Sequence, residues 1–219
     1  MNRLDNVTRA SVLNCLIEGN SIRSTVRLTG VSKKAVSRLL VEAGAVAAEY
    51  MDRVMVNLTC RRVQVDELWG FVGCKEKNVT EKIKARIPGA GSIWLWVAID
   101  ADTKIVPSFM VGSRNAGDAE TFMLDLASRL RHRVQLTSDG HRPYLDAVDA
   151  AFGTGVDYAM LVKLYGNDGD AKSQERRYSP GQCIGAIPTV ISGRPESKHI
   201  STRDVSRVLW KMQNGVTSC

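Results

Sequence analysis

Two aspartates, Asp66 and Asp139, lie where the sequence could bring carboxylates together for metal-dependent chemistry. Asp66 lies in the alternating run Val-Gln-Val-Asp-Glu-Leu-Trp at 63–69, and Asp139 follows the short predicted strand Val-Gln-Leu-Thr-Ser at 134–138. Two carboxylates held close together repel each other unless a cation lies between them. Mg²⁺ prefers carboxylate and water oxygens, and a pair of such ions can activate a water or a 3′-hydroxyl for attack on a phosphodiester. Both residues are therefore candidate ligands for Mg²⁺ or Mn²⁺.

Each acidic residue in this part of the chain also has a purely structural interpretation. Asp139 precedes Gly140, which is above all a turn signal, and a single aspartate in a strand can be an edge residue. Glu67 follows Asp66, and we expect it to face away because side chains alternate along a strand. Asp100 and its neighbour Asp102 suit a turn, which leaves Asp100 as a spare ligand only.

Hydrophobic periodicity predicts the elements that would position the two aspartates. It predicts strands over 63–69, 93–99, 105–111, 134–138 and 158–164, with 71–74 as a hairpin return of the first strand. It predicts helices over about 118–130 and 143–152, while the charged stretch 75–88 favours an exposed loop. A strand meander followed by helix, strand, helix and strand is typical of an α/β, ribonuclease-H-like fold with a mixed sheet. The first and fourth strands would then be central neighbours, with their aspartates a few ångströms apart.

The first quarter of the chain is basic and helical. Residues 1–62 contain ten Lys and Arg against five acids, a net charge of +5, whereas the remaining residues carry +2. Ser21 and Ser32 are predicted N-caps and Gly30 a helix stop, which gives the pattern of a helix-turn-helix. The third helix of that motif meets DNA with its N-terminal residues, here Ser32, Lys33, Lys34, Ser37 and Arg38. The alternative is a small helical cap with a solvated basic face.

Composition and organisation narrow the class of protein. The 219 residues carry a net charge of +7, with 44% hydrophobic and 24% charged residues, which excludes a largely disordered or collagen-like chain. No apolar run approaches the roughly 20 residues of a membrane-spanning helix, and the first residues lack a signal sequence, so a cytoplasmic location is expected. The five cysteines form no C-x-x-C pair, which argues against a zinc module. We predict a helix-turn-helix domain at 1–50, a linker at 51–62 and an α/β domain at 63–219.

Several segments resemble, in the right order, bacterial insertion-sequence transposases of the InsB type, which are DDE enzymes of the insertion-sequence-one family. The segment 62–71 resembles the first catalytic block of these enzymes, and 136–141 resembles the second. The resemblance spans about 60–202 and also includes the segments 75–78, 98–104, 144–145, 158–165, 177–180, 190–193 and 198–202. It implies that Asp66 and Asp139 are catalytic metal ligands, the first two acids of the triad.

What the resemblance implies is DNA transposition with Mg²⁺ or Mn²⁺ as the cofactor. Its partners would be double-stranded DNA, both element ends and target, in a homo-oligomer at the bacterial nucleoid and without a membrane. The third acid of such enzymes is a glutamate, but an ungapped comparison places Ser206 there, and the resemblance ends after it. We therefore expect a C-terminally truncated or frameshifted chain. The alternative function is a catalytically inactive DNA-binding remnant of a transposase.

Overall fold

The computed structural model describes residues 4–165 and 183–216, in two compact units. One unit contains the residues up to Val56 and those from Arg207 on, and the other is Asn57–Ser206. The resembling segment at 177–180 lies outside the described residues. Among the helices of the described part of the chain, none has the length and apolar character needed to cross a membrane.

Three helices, each begun by a polar cap, form the N-terminal part of the first unit. They are α1 (Asn6–Ile17), α2 (Ile22–Thr29) and α3 (Lys33–Val54). The predicted caps are confirmed, because the Ser21 hydroxyl accepts from the Ser24 amide and the Ser32 hydroxyl from the Ala35 amide. Gly30 ends α2 with a φ of +70°, a conformation that favours glycine. A small core of four buried side chains holds this bundle together, namely Val12, Val31, Val36 and Leu39.

The second unit is built on one six-stranded sheet in the order β3-β2-β1-β4-β5-β6. Its strands are β1 (Arg62–Val72), β2 (Gly91–Asp100), β3 (Phe109–Gly112), β4 (Val134–Asp139), β5 (Val156–Tyr165) and β6 (Cys183–Ser192). Strands β1 to β3 are antiparallel, β4 and β5 run parallel to β1, and β6 is antiparallel to β5. The remaining helices among the described residues are α4 (Glu81–Arg86), α5 (Ala116–Arg129), α6 (Pro143–Phe152) and α7 (Arg203–Val216). This order and these directions are those of a ribonuclease-H-like fold, which confirms the predicted fold class.

The core lies between one face of the sheet and helices α5 and α6. Trp96 of β2 contacts Phe122 of α5 and Tyr144 of α6 with ring centroids 5.8 and 5.6 Å apart. Val65 of β1 and Leu126 of α5 are also fully buried in this cluster. Each such side chain contributes about 1.5–3 kcal/mol of hydrophobic stabilisation. The packing fixes the central strands and hence the positions of the residues at their ends.

Three details of the predicted elements are wrong. Residues 71 and 72 do not return as a hairpin but continue β1, where Val72 pairs with Gly91 of β2. The stretch 75–88 is not only loop, because it contains a 3-10 turn at Glu76–Asn78 and helix α4, which begins at the N-cap Thr80. The third strand is only Phe109–Gly112, since Pro107 has no amide hydrogen to donate to the ladder.

Candidate metal centre

The pairing of β1 with β4 brings Asp66 and Asp139 to one end of the sheet. Gln64 is aligned with Thr137 in this parallel pair, and the two aspartates follow two residues later on the same face. One carboxylate oxygen from each of Asp66, Glu67 and Asp139 lies within 4.8 Å of the other two. The two residues predicted from the sequence therefore meet, and a third carboxylate joins them.

Glu67 is the residue that the sequence interpretation excluded from this group. The alternation itself holds, because Val63 and Val65 belong to the core beneath the sheet, whereas Asp66 contacts Ser206 of α7. The conclusion drawn from it is wrong, since the Glu67 carboxylate still reaches the cluster from the core side. Alternation fixes the direction of the Cα–Cβ bond only, and the glutamate side chain continues through Cγ before its carboxylate begins.

Asp66 lies in a polar pocket formed by β5 and α7. Its Oδ1 accepts from the Glu67 amide at 2.9 Å, and its Oδ2 accepts from the Ser206 hydroxyl at 3.0 Å. The Lys163 Nζ lies 3.4 Å from the same hydroxyl. Burial raises the pKa of Asp66, as does the charge of Asp139, while Lys163 and Ser206 act in the opposite direction.

Ser206 therefore occupies the place beside Asp66 at which the sequence comparison locates the third acid. The buried side chain of Gln64 positions it by capping α7. Gln64 Oε1 accepts from the amides of Asp204 and Val205 at 2.8 and 3.2 Å, and its Nε2 donates to an Asp204 carboxylate oxygen at 3.1 Å. A serine hydroxyl at this position brings no negative charge.

Arg114, in the loop after β3, covers the other side of the cluster. Its Nε donates to Glu67 Oε2 at 3.1 Å, and its Nη2 lies 3.7 Å from Asp139 Oδ2. Its guanidinium stacks on the ring of Trp94 at 4.8 Å. Burial, followed by the charge of Asp139, raises the pKa of Glu67 to about 7 even with this arginine present.

A cleft of about 550 Å³ opens onto Asp66 and Asp139. Three cationic side chains, Arg114, Arg142 and Lys163, line it, and such groups bind phosphate oxygens well. The His141 amide donates to Asp139 Oδ1 at 2.9 Å, which fixes the carboxylate at the end of β4. Burial lowers the pKa of the His141 ring, as does nearby Arg114.

The donor set fits a hard divalent cation. One oxygen of each carboxylate lies within 4.8 Å of the other two, which is near the separation of opposite oxygen ligands around a divalent ion, about 4.2 Å for Mg²⁺ and roughly 5 Å for Ca²⁺. Glu67 Oε1 is buried without a hydrogen-bond partner among the described residues. Buried polar atoms normally have partners, so this oxygen has a lone pair to offer a ligand.

The other residues singled out from the sequence lie elsewhere. Ser32 caps α3, Lys33, Lys34 and Arg38 are exposed on its first turns, and Ser37 is partly buried. Asp100 is not a ligand of the cluster, because it pairs with Val63 at the opposite end of β1. There its carboxylate accepts from the Thr103 hydroxyl at 2.6 Å, as expected of a turn residue.

Comparison with known proteins gives only a distant structural likeness. No protein-family profile matches the sequence, and no curated protein does. Among solved structures, the chain is similar to the piggyBac transposase in a cryo-EM synaptic complex with hairpin DNA, at 11% identity and a TM-score of 0.43. The alignment covers 99% of this chain and 59% of that one. A likeness this distant assigns no activity, and the proposals below rest on the geometry of the site.

Proposed function

We propose that the protein acts in DNA transposition, by metal-dependent hydrolysis and strand transfer at the ends of an insertion sequence. The observation that carries this proposal is the meeting of Asp66, on β1, with Asp139, at the end of the adjacent parallel strand β4 of a ribonuclease-H-like sheet. The ordered motifs at 65–69 and 137–141, which resemble those of insertion-sequence transposases, favour element ends as the substrate.

Asp66 and Asp139 would hold Mg²⁺ or Mn²⁺. The bound metal supplies an activated water or 3′-hydroxyl and stabilises the leaving oxygen of the phosphodiester. Lys163 and Arg142 line the cleft and would hold the non-bridging oxygens of the DNA backbone. The amides of Glu67 and His141 donate to the two aspartates and keep their carboxylates oriented.

The N-terminal helices would bind the element ends. Four of the five candidate DNA contacts at the start of α3, namely Ser32, Lys33, Lys34 and Arg38, are exposed. In a helix-turn-helix this end of the third helix enters the major groove, where polar side chains contact bases and phosphates. Because transposition joins two ends, we propose that the protein works as a homo-oligomer on double-stranded DNA.

Strand cleavage of an element-end duplex tests the catalytic proposal. The parent protein should nick the duplex with Mg²⁺ or Mn²⁺ but not with EDTA, and Asp66→Asn should lower the rate by roughly 10³-fold or more because a charged ligand is lost. Glu120→Gln, an exposed change on α5, is the control and should cleave like the parent. A chain that binds the duplex and never nicks it, whichever metal is added, contradicts catalysis.

The alternative, an inactive DNA-binding remnant, is favoured by one observation. The residue beside Asp66 at the start of α7 is the neutral Ser206 rather than an acid. A remnant would bind DNA without cleaving it. Binding by either form should be salt-dependent, and Lys34→Ala with Arg38→Ala should lower the slope of log affinity against log salt by about 2. Lys82→Ala, an exposed lysine of α4, should leave the slope unchanged, and equal slopes in all variants would exclude the α3 contacts.

A further inference from the structure

The side chain of Glu67 is buried in a way that a structural ion pair does not explain. It is 1% exposed, its Oε2 accepts from Arg114, and its Oε1 makes no hydrogen bond of good geometry with any of the described residues. The hydroxyl of Tyr144 lies beside it, fully buried and also without a hydrogen bond of good geometry. A glutamate selected only to pair with arginine would have both oxygens satisfied or would lie in water.

The charges around Glu67 do not balance. Three carboxylates, those of Asp66, Glu67 and Asp139, lie within 4.8 Å of one another. The only cation in direct contact with Glu67 among the described residues is Arg114, which is shared with Asp139 at the longer distance of 3.7 Å. Arg142 and Lys163 also line the cleft that opens onto Asp66 and Asp139, so Glu67 is the carboxylate whose one direct cation contact among the described residues is this shared guanidinium.

Arg114 and Glu67 differ in their freedom to move. Glu67 is on β1, in the middle of the sheet, whereas Arg114 is in the loop between β3 and α5, with 36% of its side chain exposed. The Trp94 ring supports the guanidinium from one side, so Arg114 can leave Glu67 and remain stacked. The arginine is therefore the member of the pair that an incoming cation can displace.

We propose that Glu67 supplies the third carboxylate of the metal centre, and that Arg114 is a counter-ion that leaves Glu67 when a divalent cation binds. This inference rests on the proposed metal site and assigns two further residues to it. Ser206 contributes no charge beside Asp66, so the third negative charge comes from the next residue of the same strand. Metal and guanidinium compete for one carboxylate, which makes Arg114 a positioning residue rather than a ligand.

Titration of Mn²⁺ into the full-length protein, followed by the loss of the free-ion electron paramagnetic resonance signal, tests this inference without any assay of cleavage. Glu67→Gln should weaken Mn²⁺ binding roughly 10-fold or more, as Asp66→Asn does, because each removes one charged ligand. Arg114→Gln should strengthen it several-fold, because the competitor for Glu67 is gone. The matched control Glu120→Gln should bind like the parent.

The outcomes separate this inference from the proposed function. If Asp66→Asn loses Mn²⁺ and Glu67→Gln binds like the parent, Glu67 is not a ligand and only the inference is overturned. If the parent itself does not bind Mn²⁺, the metal site of the proposed function is overturned as well. Should Glu67→Gln fail to fold, Arg114→Gln decides alone, since unchanged or weaker binding in that variant contradicts the competition.

Discussion

Acidic side chains lie towards both ends of the strands in the central sheet, but their pairing with cationic side chains differs between the two ends. At the amino ends of β1, β4 and β5, Arg62 pairs with Asp102, and Arg133 pairs with Asp157 at 2.7 Å. Around Asp66 on β1 and the carboxyl end of β4, Glu67 and Asp139 share Arg114, and Lys163 reaches Asp66 through Ser206. One end has arginine–aspartate pairs, whereas at the other end three carboxylates lie within 4.8 Å of one another and two of them share one guanidinium.

The pairing of acids with cations distinguishes the acids with a structural role from the proposed metal ligands better than the volume of the nearby cleft does. The cleft at the amino end, about 670 Å³, is larger than the 550 Å³ cleft at the carboxyl end. Asp102 and Asp157 in this cleft each pair with an arginine, and the Asp100 carboxylate accepts hydrogen bonds within its own turn. Burial, followed by the charge of Asp139, raises the pKa values of Asp66 and Glu67, so their charged forms cost folding free energy, which is common where binding rather than stability determines the residue.

Cleavage should depend on one end of the sheet and not on the other. Asp139→Asn should lower metal-dependent cleavage by roughly 10³-fold or more, because it removes a charged ligand. Asp157→Asn, the same substitution at the amino end, should leave the rate within about 2-fold of the parent, since a paired surface aspartate contributes mainly to stability. If both variants lose the same fraction of the cleavage rate on one element-end duplex, the proposed difference in function between the two ends is contradicted.

Ser206→Glu should increase the negative charge beside Asp66. The new carboxylate would lie beside Asp66 and Lys163, so Mn²⁺ affinity should rise about 10-fold. Without metal the added negative charge should lower the free energy of unfolding by about 1 kcal/mol. Calorimetric titration and chemical denaturation with and without Mn²⁺ measure both effects. Ser11→Glu, an exposed change on α1, is the control, and the same gain in affinity there would rule out a local effect.

Stability without metal should change in opposite directions at the two ends. Asp66→Asn removes one of three mutually repelling charges and should raise the free energy of unfolding by about 1 kcal/mol. Asp157→Asn removes the partner of Arg133 and an acceptor of the Arg194 amide, and should lower it by about 1 kcal/mol. Urea denaturation in EDTA gives both values, and a change of the same sign would show that both ends are structural.

The smallest effect is the pH dependence of the Asp157 pair. Hydrogen bonds from Arg133 lower the pKa of Asp157 in the folded state. Its contribution is therefore complete above the unfolded pKa, about 4, and is lost as the pH falls through the lower folded value. The stability difference between the parent and Asp157→Asn should be constant from pH 5 to 7 and shrink below about pH 4. A difference that grows on acidification would contradict the assignment.

The sequence predicts the parts of this site that follow from strand pairing. Asp66 and Asp139 could be placed together because parallel neighbours in a ribonuclease-H-like sheet align their carboxyl ends. The position of Ser206 followed from the ordered motifs, although its hydrogen bond to Asp66 did not.

Side chains that reach the site by length or from a loop could not be predicted. Glu67 was excluded by an alternation rule that fixes Cβ directions but not where a long carboxylate ends. Arg114 lies in a loop after a short edge strand, where no periodicity applies. The position of Lys163 near the site could have been predicted from the parallel pairing of β4 with β5. Asp139 pairs with Leu161, so Lys163 lies just beyond the end of β4.

The most direct test of the metal centre is a crystal of the full-length protein grown with Mn²⁺ and measured at the manganese absorption edge. The account predicts an anomalous peak bonded to one oxygen each of Asp66, Glu67 and Asp139, at roughly 2.0–2.6 Å, with Arg114 moved away from Glu67. A peak at the amino end beside Asp102 or Asp157, or an unmoved Arg114 with no peak among the three carboxylates, would contradict it.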